Sequence, residues 1–403
     1  MLPNAYNLSK LRERVGEMKI VIAPDSFKGS LTAKEVGEAI QVGLKQIWPD
    51  AEYVLVPMAD GGEGTVQALV DATGGRFVTR TVTGPLGLPV AARYGLLGQG
   101  QTAVIEMAAA SGLPLVPSDQ LNPLLTTTYG TGELVRDALD QGVREIILGL
   151  GGSATNDGGA GLAQALGARL LDQSGQELPF GGGALGELAQ IDVSQLDPRL
   201  AEVKIKLASD VTNPLTGPQG ATAVFSPQKG ATPAMVTKLE ANLRHYAAQL
   251  QTWLGQAVAQ VPGAGAAGGL GAGLLAFTHA SLHPGVELVV AATNLKRKAH
   301  GADLAFTGEG SLDFQTRFGK TPYGVAQAIK AVAPHAPVIA LTGHIGPGGA
   351  DLTDVIDAVF ATPTGAKPLT QAMTEAKVDL EITATQIARL WEAQHKNLRL
   401  GAH

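Results

Sequence analysis

The stretch MKIVIAPDSFKGSLTAKEVGEAIQVGLKQIWPDAEYVLVP, residues 18–57, decides the fold. It opens with an aliphatic run, Lys19 to Pro24, of the kind a buried parallel strand needs. Thr32 and Glu35 then stand at capping-box spacing, and Val36, Ile40, Leu44 and Ile47 recur at helical spacing. A helix is therefore expected over 32–47, with Pro49 as its stop. A second aliphatic run, Ala51 to Pro57, follows at once, and then a helix through about Ala72, broken by Gly74-Gly75. Strand, helix and strand in that order predict parallel pairing through right-handed crossovers.

Outward from this start the pattern changes. Phe77 to Leu97 alternates β-formers with Pro and Gly and leaves no room for a helix, so hairpins are expected. Strands are expected over 102–106, 144–150, 168–172 and 204–209, and helices over 133–139, 159–168 and 233–258. Regular alternation then returns: a strand at 303–306, a helix at 323–332, strands at 338–342 and 357–361, and a closing helical region over 369–392. The two ends share one style and the middle differs. The expected architecture is α/β: a doubly wound domain, 18–75 plus 290–395, interrupted by an inserted α/β domain with a mixed sheet, 76–289. Residues 1–17 are polar and lie outside the pattern, and are expected to be a leader of no catalytic role.

Composition excludes several classes. The chain carries a formal net charge of −6 and its densest basic stretch is only Lys296-Arg297-Lys298, which argues against nucleic acid as a partner. No cysteine is present, which removes disulfides, thiolate nucleophiles and Cys-ligated zinc. The eight histidines show no ligand spacing. Neither a signal-peptide core nor an apolar run of membrane length is found, so a cytoplasmic protein with no membrane partner is expected. The 52 glycines are nearly twice the average share of about 7%. Such an excess marks either tight turns in a compact α/β chain or loops that approach a ligand closely.

Six motifs carry candidate chemistry. Pro24-Asp25-Ser26-Phe27-Lys28-Gly29-Ser30 follows the first strand, where open α/β sheets bind ligands, and Lys28 could meet a phosphate or carboxylate there. Its plain alternative is a helix cap with a solvated lysine. Asp60-Gly61-Gly62-Glu63-Gly64-Thr65 follows the second strand, and Asp60 and Glu63 could hold Mg²⁺ through hard oxygen ligands. Leu148 to Gly159, LGLGGSATNDGG, lies between a strand and a helix, and backbone N–H groups there make a phosphate nest. Asp210, in Ser209-Asp210-Val211-Thr212-Asn213-Pro214, ends a strand and is a candidate metal ligand or base; Pro227-Gln228-Lys229-Gly230 follows it. Gly265 to Gly271, GAAGGLG, reads equally as a tightly packed helix or a ligand loop. Last comes Thr307-Gly308-Glu309-Gly310-Ser311-Leu312-Asp313 with Gly319-Lys320-Thr321. The full P-loop pattern fails because position 314 is Phe, yet such a strand-end loop can hold phosphate and metal.

Two rival readings compete. Gly149-x-Gly151-x-x-Ala154 with Asp172 satisfies the dinucleotide fingerprint of an NAD-dependent dehydrogenase. The fingerprint is weak, since Gly271-x-Gly273-x-x-Ala276 also matches it in a stretch that follows no strand. A non-catalytic small-acid binding protein would also suit two α/β domains around a cleft. Carboxylate-bearing glycine loops at several strand ends favour metal-assisted phosphoryl chemistry over both.

Taken together and in order, APDSFKGSLTAKE, ADGGEGT, LGLGGSATNDGGAG, SDVTNPL with SPQKGA, GAAGGLGAG, and TGEGSLDFQT with GKTPYGVA resemble the bacterial type-1 glycerate kinases, from Met18 to about Glu392. The resemblance implies a flavodoxin-like domain with a second domain inserted in it. It implies ATP-dependent phosphorylation of D-glycerate with Mg²⁺, usually to 2-phosphoglycerate, and it favours the phosphate nest over the dinucleotide reading. The roles then expected are Lys28 on the glycerate carboxylate or γ-phosphate, and Asp210 and Asp313 as base or metal ligand. Asp60, Glu63, Asp210 and Glu309 are expected at Mg²⁺. Gly151, Gly152, Ser153, Asn156, Gly308, Gly310 and Lys320 are expected at ATP, in a cleft between domains. A homo-oligomer is left open.

Overall fold

The computed structural model describes residues 18–400, with side chains through Gln394. The expected leader, 1–17, lies outside the described residues. The strands, in chain order, are β1 (Lys19–Ile22), β2 (Glu52–Leu55), β3 (Arg76–Thr83), β4 (Pro89–Leu97), β5 (Thr102–Glu106), β6 (Glu145–Gly149) and β7 (Arg169–Leu171). They continue as β8 (Gln190–Asp192), β9 (Lys204–Ala208), β10 (Ser281–His283), β11 (Leu304–Leu312), β12 (Val338–Ile345) and β13 (Ala358–Ala361). The chain forms two compact units: one runs to Asp60 and resumes at Val289, and the other is Gly61–Leu288.

The first unit is a five-stranded sheet in the order β13-β12-β11-β1-β2, parallel throughout. β1 sits at its centre, with Ile20 opposite Leu304 on one side and Tyr53 on the other. Its residues Ile20, Val21 and Ile22 are fully buried, as an aliphatic run covered on both faces must be. The helix Ala33–Lys45 starts where the sequence places it. Thr32 Oγ1 accepts from Glu35 N at 3.2 Å, and Glu35 Oε2 accepts from Thr32 N at 2.8 Å. Its Val36, Ile40 and Leu44 pack with Ile20, Ile22 and Phe306 of the sheet and with Leu380 and Ala384 of the closing helix, Leu369–Leu400.

Those two helices cross at Gly43. A Cβ there would collide with the Glu381 carbonyl, and Thr385 Oγ1 donates to the Gly43 carbonyl at 2.9 Å. Trp48 ends the contact, edge-on to Trp391 and donating through Nε1 to Glu392 Oε1 at 2.9 Å. The helix Thr321–Lys330 packs on β11 and β12.

The second unit holds a mixed six-stranded sheet, β10-β9-β6-β5-β4-β3. β5, β6, β9 and β10 pair in parallel, and β3–β4–β5 are antiparallel. The expected mixed sheet is thus present, with a hairpin where Phe77 to Leu97 predicted one. The first boundary differs from the expected 75: the helix Thr65–Thr73 packs on β4 and β5, so it groups with the second unit. Of the two readings of Gly265 to Gly271, a tightly packed helix or a ligand loop, the packed helix is present: a Cβ on Gly268 would collide with the Thr155 carbonyl. The helix Ala266–Phe277 is interrupted by left-handed backbone at Ala267, Gly268 and Gly269, and Gly268 O accepts from Gly158 N at 3.1 Å.

Among the described residues, no helix is long and apolar enough to cross a membrane.

Candidate active site

The carboxyl end of the parallel sheet gathers charge. Asp25 follows β1, Asp60 follows β2, and Glu309 lies in β11 between them and β12. All three line one cavity of about 510 Å³ together with Lys28, Lys320 and His344. The sheet order explains the meeting: β11 and β2 flank β1, so their carboxyl ends must converge.

Asp25 is buried, at 4% exposure. Its Oδ2 accepts from Thr321 Oγ1 at 2.5 Å and its Oδ1 from Ser26 N at 2.6 Å. Burial pushes its pKa up to about 6; the Thr321 bond opposes this and the Asp60 charge adds to it. Burial likewise pushes Glu309 up to about 7, against the Lys320 ammonium, with Asp25 and Asp60 adding repulsion. Lys320 Nζ stands 3.6 Å from Glu309 and 3.5 Å from Asp313, and Thr316 Oγ1 donates to Glu309 Oε1 at 3.3 Å.

The expectation of a strand-end loop at 307–313 is corrected. β11 runs on to Leu312, because β12 continues beside it, with Gly308 opposite Leu341 and Ser311 opposite His344. Gly308 is therefore a buried strand residue, while Gly310 lines the cavity. Asp313 caps the turn Phe314–Arg317 by accepting from Gln315 N at 2.8 Å.

Gly151, Gly152, Ser153, Asn156, Glu63 and Asp210 belong to the second unit. Gly151 and Gly152 are exposed after β6. Ser153 is pinned: its backbone bridges to Gly112, and its Oγ accepts from Lys229 Nζ at 2.7 Å. Lys229 is 1% exposed and donates also to the Thr155 carbonyl at 2.6 Å; burial lowers its pKa to about 7. Asn156, expected at the nucleotide, is instead fully buried and donates through Nδ2 to Thr222 Oγ1 at 3.0 Å. Asp157 is also buried, and accepts from Thr128 N at 2.8 Å and Thr128 Oγ1 at 2.9 Å. The SATND run is thus an internal polar framework under an exposed Gly-Gly turn. Glu63 is exposed. Asp210 is exposed too, and its Oδ1 accepts from Gly285 N at 3.2 Å.

The dinucleotide reading fails on topology. A Rossmann unit needs the next strand parallel beside β6. Here β7 pairs antiparallel with β8 in a separate ribbon, and Asp172 accepts from Ser174 N and Gln176 N within a turn.

Sequence reasoning did not single out three residues that matter. Asp25 and Thr321 stood in quoted motifs without a role. Lys229 gave no sign of burial, since lysine is rarely fully buried.

This chain is an α/β enzyme, a kinase. The glycerate kinase family profile matches residues 20–392. A glycerate kinase of Bacillus subtilis (strain 168) is 56% identical over 372 residues, covering 92% of this chain and 97% of the relative. A glycerate 2-kinase of Escherichia coli (strain K12) is 53% identical over 356 residues, 88% of this chain and 93% of the relative. A crystal structure of a Salmonella typhimurium LT2 protein described as glycerate kinase 2 superposes with a TM-score of 0.87 at 51% identity, covering 94% of this chain and 100% of that one. The chain belongs to the glycerate kinase family.

Proposed function

We propose that this enzyme transfers the γ-phosphoryl group of ATP to the 2-hydroxyl of D-glycerate, giving 2-phospho-D-glycerate and ADP. The observation that carries this is the cavity at the parallel sheet's carboxyl end, where Asp25, Asp60 and Glu309 stand with Lys28 and Lys320. Phosphoryl transfer asks a protein for positioning and charge neutralisation more than for covalent chemistry. The name of the Escherichia coli relative supports the 2-hydroxyl as acceptor; the 3-phosphate is the less favoured product. The strand order, 2-1-3-4-5 when counted within the first unit, supports the flavodoxin-like reading.

Mg²⁺ fits the donor set. Burial chiefly raises the pKa of Asp25 and Glu309, and the neighbouring carboxylate charges, Asp60 on both and Asp25 on Glu309, add to it; a divalent cation would relieve that repulsion. Among the described residues, no three His, Cys, Asp or Glu close a metal cage. That suits Mg²⁺, which takes one or two carboxylates and leaves its other positions to water and phosphate. Bound there, it would neutralise charge on the transferring phosphoryl group. Asp60 and Glu309 are the candidate holders in this unit; Glu63 and Asp210 keep that assignment in the other.

Lys28 is exposed at the cavity and is assigned to the substrate carboxylate or the γ-phosphate. Lys320 holds Glu309 and Asp313 and is assigned to phosphate. Gly310, and the exposed Gly151-Gly152 turn, are assigned to ATP phosphates, with Ser153 bracing that turn from inside. Asp210 and Asp313 remain the candidates for receiving the hydroxyl proton.

The test is a coupled assay with D-glycerate, ATP, Mg²⁺ and enolase, with no phosphoglycerate mutase. Phosphoenolpyruvate absorbance is expected. Signal only after mutase is added would mean a 3-kinase, and silence in both would overturn D-glycerate as substrate.

A further inference from the structure

We propose that the closing helix forms the seat of the donor's nucleoside: its first two turns line the base and ribose of a purine nucleoside triphosphate. This deepens the kinase reading above and rests on it.

The cavity is too large and too apolar for the acid alone. D-Glycerate is a three-carbon molecule with an oxygen on every carbon, so it offers no apolar face. A cavity of about 510 Å³ lies within the range that holds a much larger ligand. Its lining also comes in two kinds. The strand ends supply Asp25, Asp60 and Glu309, and the N-cap of the helix Thr321–Lys330 supplies Lys320. The closing helix supplies Leu369, Ala372, Met373 and Ala376, with no charge among them. These four stand at i, i+3, i+4 and i+7, a single helix face.

The charges around the helix's start are kept off that face. Lys367 pairs with Glu375 at 2.6 Å and with Asp379 at 2.8 Å, and none of the three lines the cavity. The small side chains of Ala372 and Ala376 leave room for a flat ring. Leu369, at 75% exposure, is a large apolar group left open at the mouth. The wall is also fixed in place: Ser30 Oγ donates to the Met373 carbonyl at 2.5 Å, which ties it to the loop that carries Lys28. One reactant has a flat, weakly polar ring at one end and a chain of anions at the other, and it matches both kinds of lining. Its phosphates would reach Lys28 and Lys320 while its base lies on Met373 and Leu369.

Calorimetry of ADP against inorganic pyrophosphate, with Mg²⁺ present, tests this without turnover. The two share their phosphates and differ only in the nucleoside. The wild-type chain should bind ADP at least about tenfold more tightly than pyrophosphate. Ala372→Phe, which fills the seat, should remove most of that difference, leave pyrophosphate binding unchanged, and keep KM for D-glycerate within about twofold. Leu369→Ser, at an exposed position that folding does not need, should weaken ADP by roughly threefold and pyrophosphate not at all. Unchanged ADP affinity in both variants would overturn the proposal. A rise in D-glycerate KM with ADP unchanged would assign the wall to the acid instead. A wild-type chain that binds ADP but leaves D-glycerate untouched would sink the D-glycerate reading and spare the nucleoside seat.

Discussion

Lys229 reaches Ser153: its Nζ donates to the serine Oγ at 2.7 Å inside a site where the lysine is 1% exposed. Among the described residues no carboxylate pairs with this ammonium directly; the Asp157 charge partly offsets the burial that lowers its pKa to about 7. Tyr246, also buried, faces Asp157 as well, and burial raises its pKa. Between about pH 7 and 10 the unfolded lysine holds a proton that the folded one has lost. The unfolded state then binds more protons, so this group makes stability rise with pH across that window. Below it both states are protonated and the cost of burial is fully present. Lys229→Met should therefore lose more stability, relative to wild type, at about pH 9 than at about pH 7, by on the order of 1–2 kcal/mol. Urea melts at the two pH values check it, and an equal loss at both would remove the titration from the account.

Two glycines of one helix should respond in opposite directions. Gly43→Leu drives a side chain into the Glu381 carbonyl and should cost about 2 kcal/mol or more. At Gly37 the nearest atoms to an added Cβ are 3.8 Å away, an ordinary contact. Gly37→Ala should therefore stabilise by about 0.5–1 kcal/mol through helix propensity. Thermal melts of the two variants decide whether the crossing at Gly43 is as close as described.

Asp210→Asn keeps the shape of an exposed group and its capacity to accept from Gly285 N. Its melting temperature should stay within about 1 °C of wild type, as surface changes usually do. Turnover should fall by at least about a hundredfold if this carboxylate is base or metal ligand. Near-normal turnover would strike it from both roles.

Chelation should abolish phosphorylation, and Mg²⁺ should restore it. Glu309→Gln should raise the Mg²⁺ concentration needed for half-maximal activity by about tenfold or more, since one hard anionic ligand is lost. A variant with unchanged Mg²⁺ demand would place the cation elsewhere, among Asp60, Glu63 and Asp210.

The parallel sheet was legible because its residues obey one rule at a time. Ile20, Ile22, Val36, Ile40 and Leu44 are buried where periodicity put them. The extension of β11 through Gly308 and Gly310 was not, because glycine reads as a loop until a partner strand is known to lie beside it. Asp60, Glu309 and Lys320 were legible as chemistry, and they do share one cavity. Asn156 was assigned outward and lies inward, since a run such as Ser153 to Asp157 has the same letters whether it faces a ligand or braces a turn. The apolar face of the closing helix had no sequence signal of its own, as Leu369, Ala372, Met373 and Ala376 match any amphipathic core stripe.

The placing of β1 between β2 and β11 has a consequence for synthesis. Ile20 leaves the ribosome ahead of the whole of Gly61–Leu288, yet its partner Leu304 comes only after that segment. The inserted unit has every strand of its own sheet by then and can fold as translation proceeds. The opening strand must wait, with one edge unpaired, for a neighbour far along the chain. Truncated or stalled chains should therefore expose that edge and aggregate, and the five-stranded sheet is finished only once β11, β12 and β13 have been made.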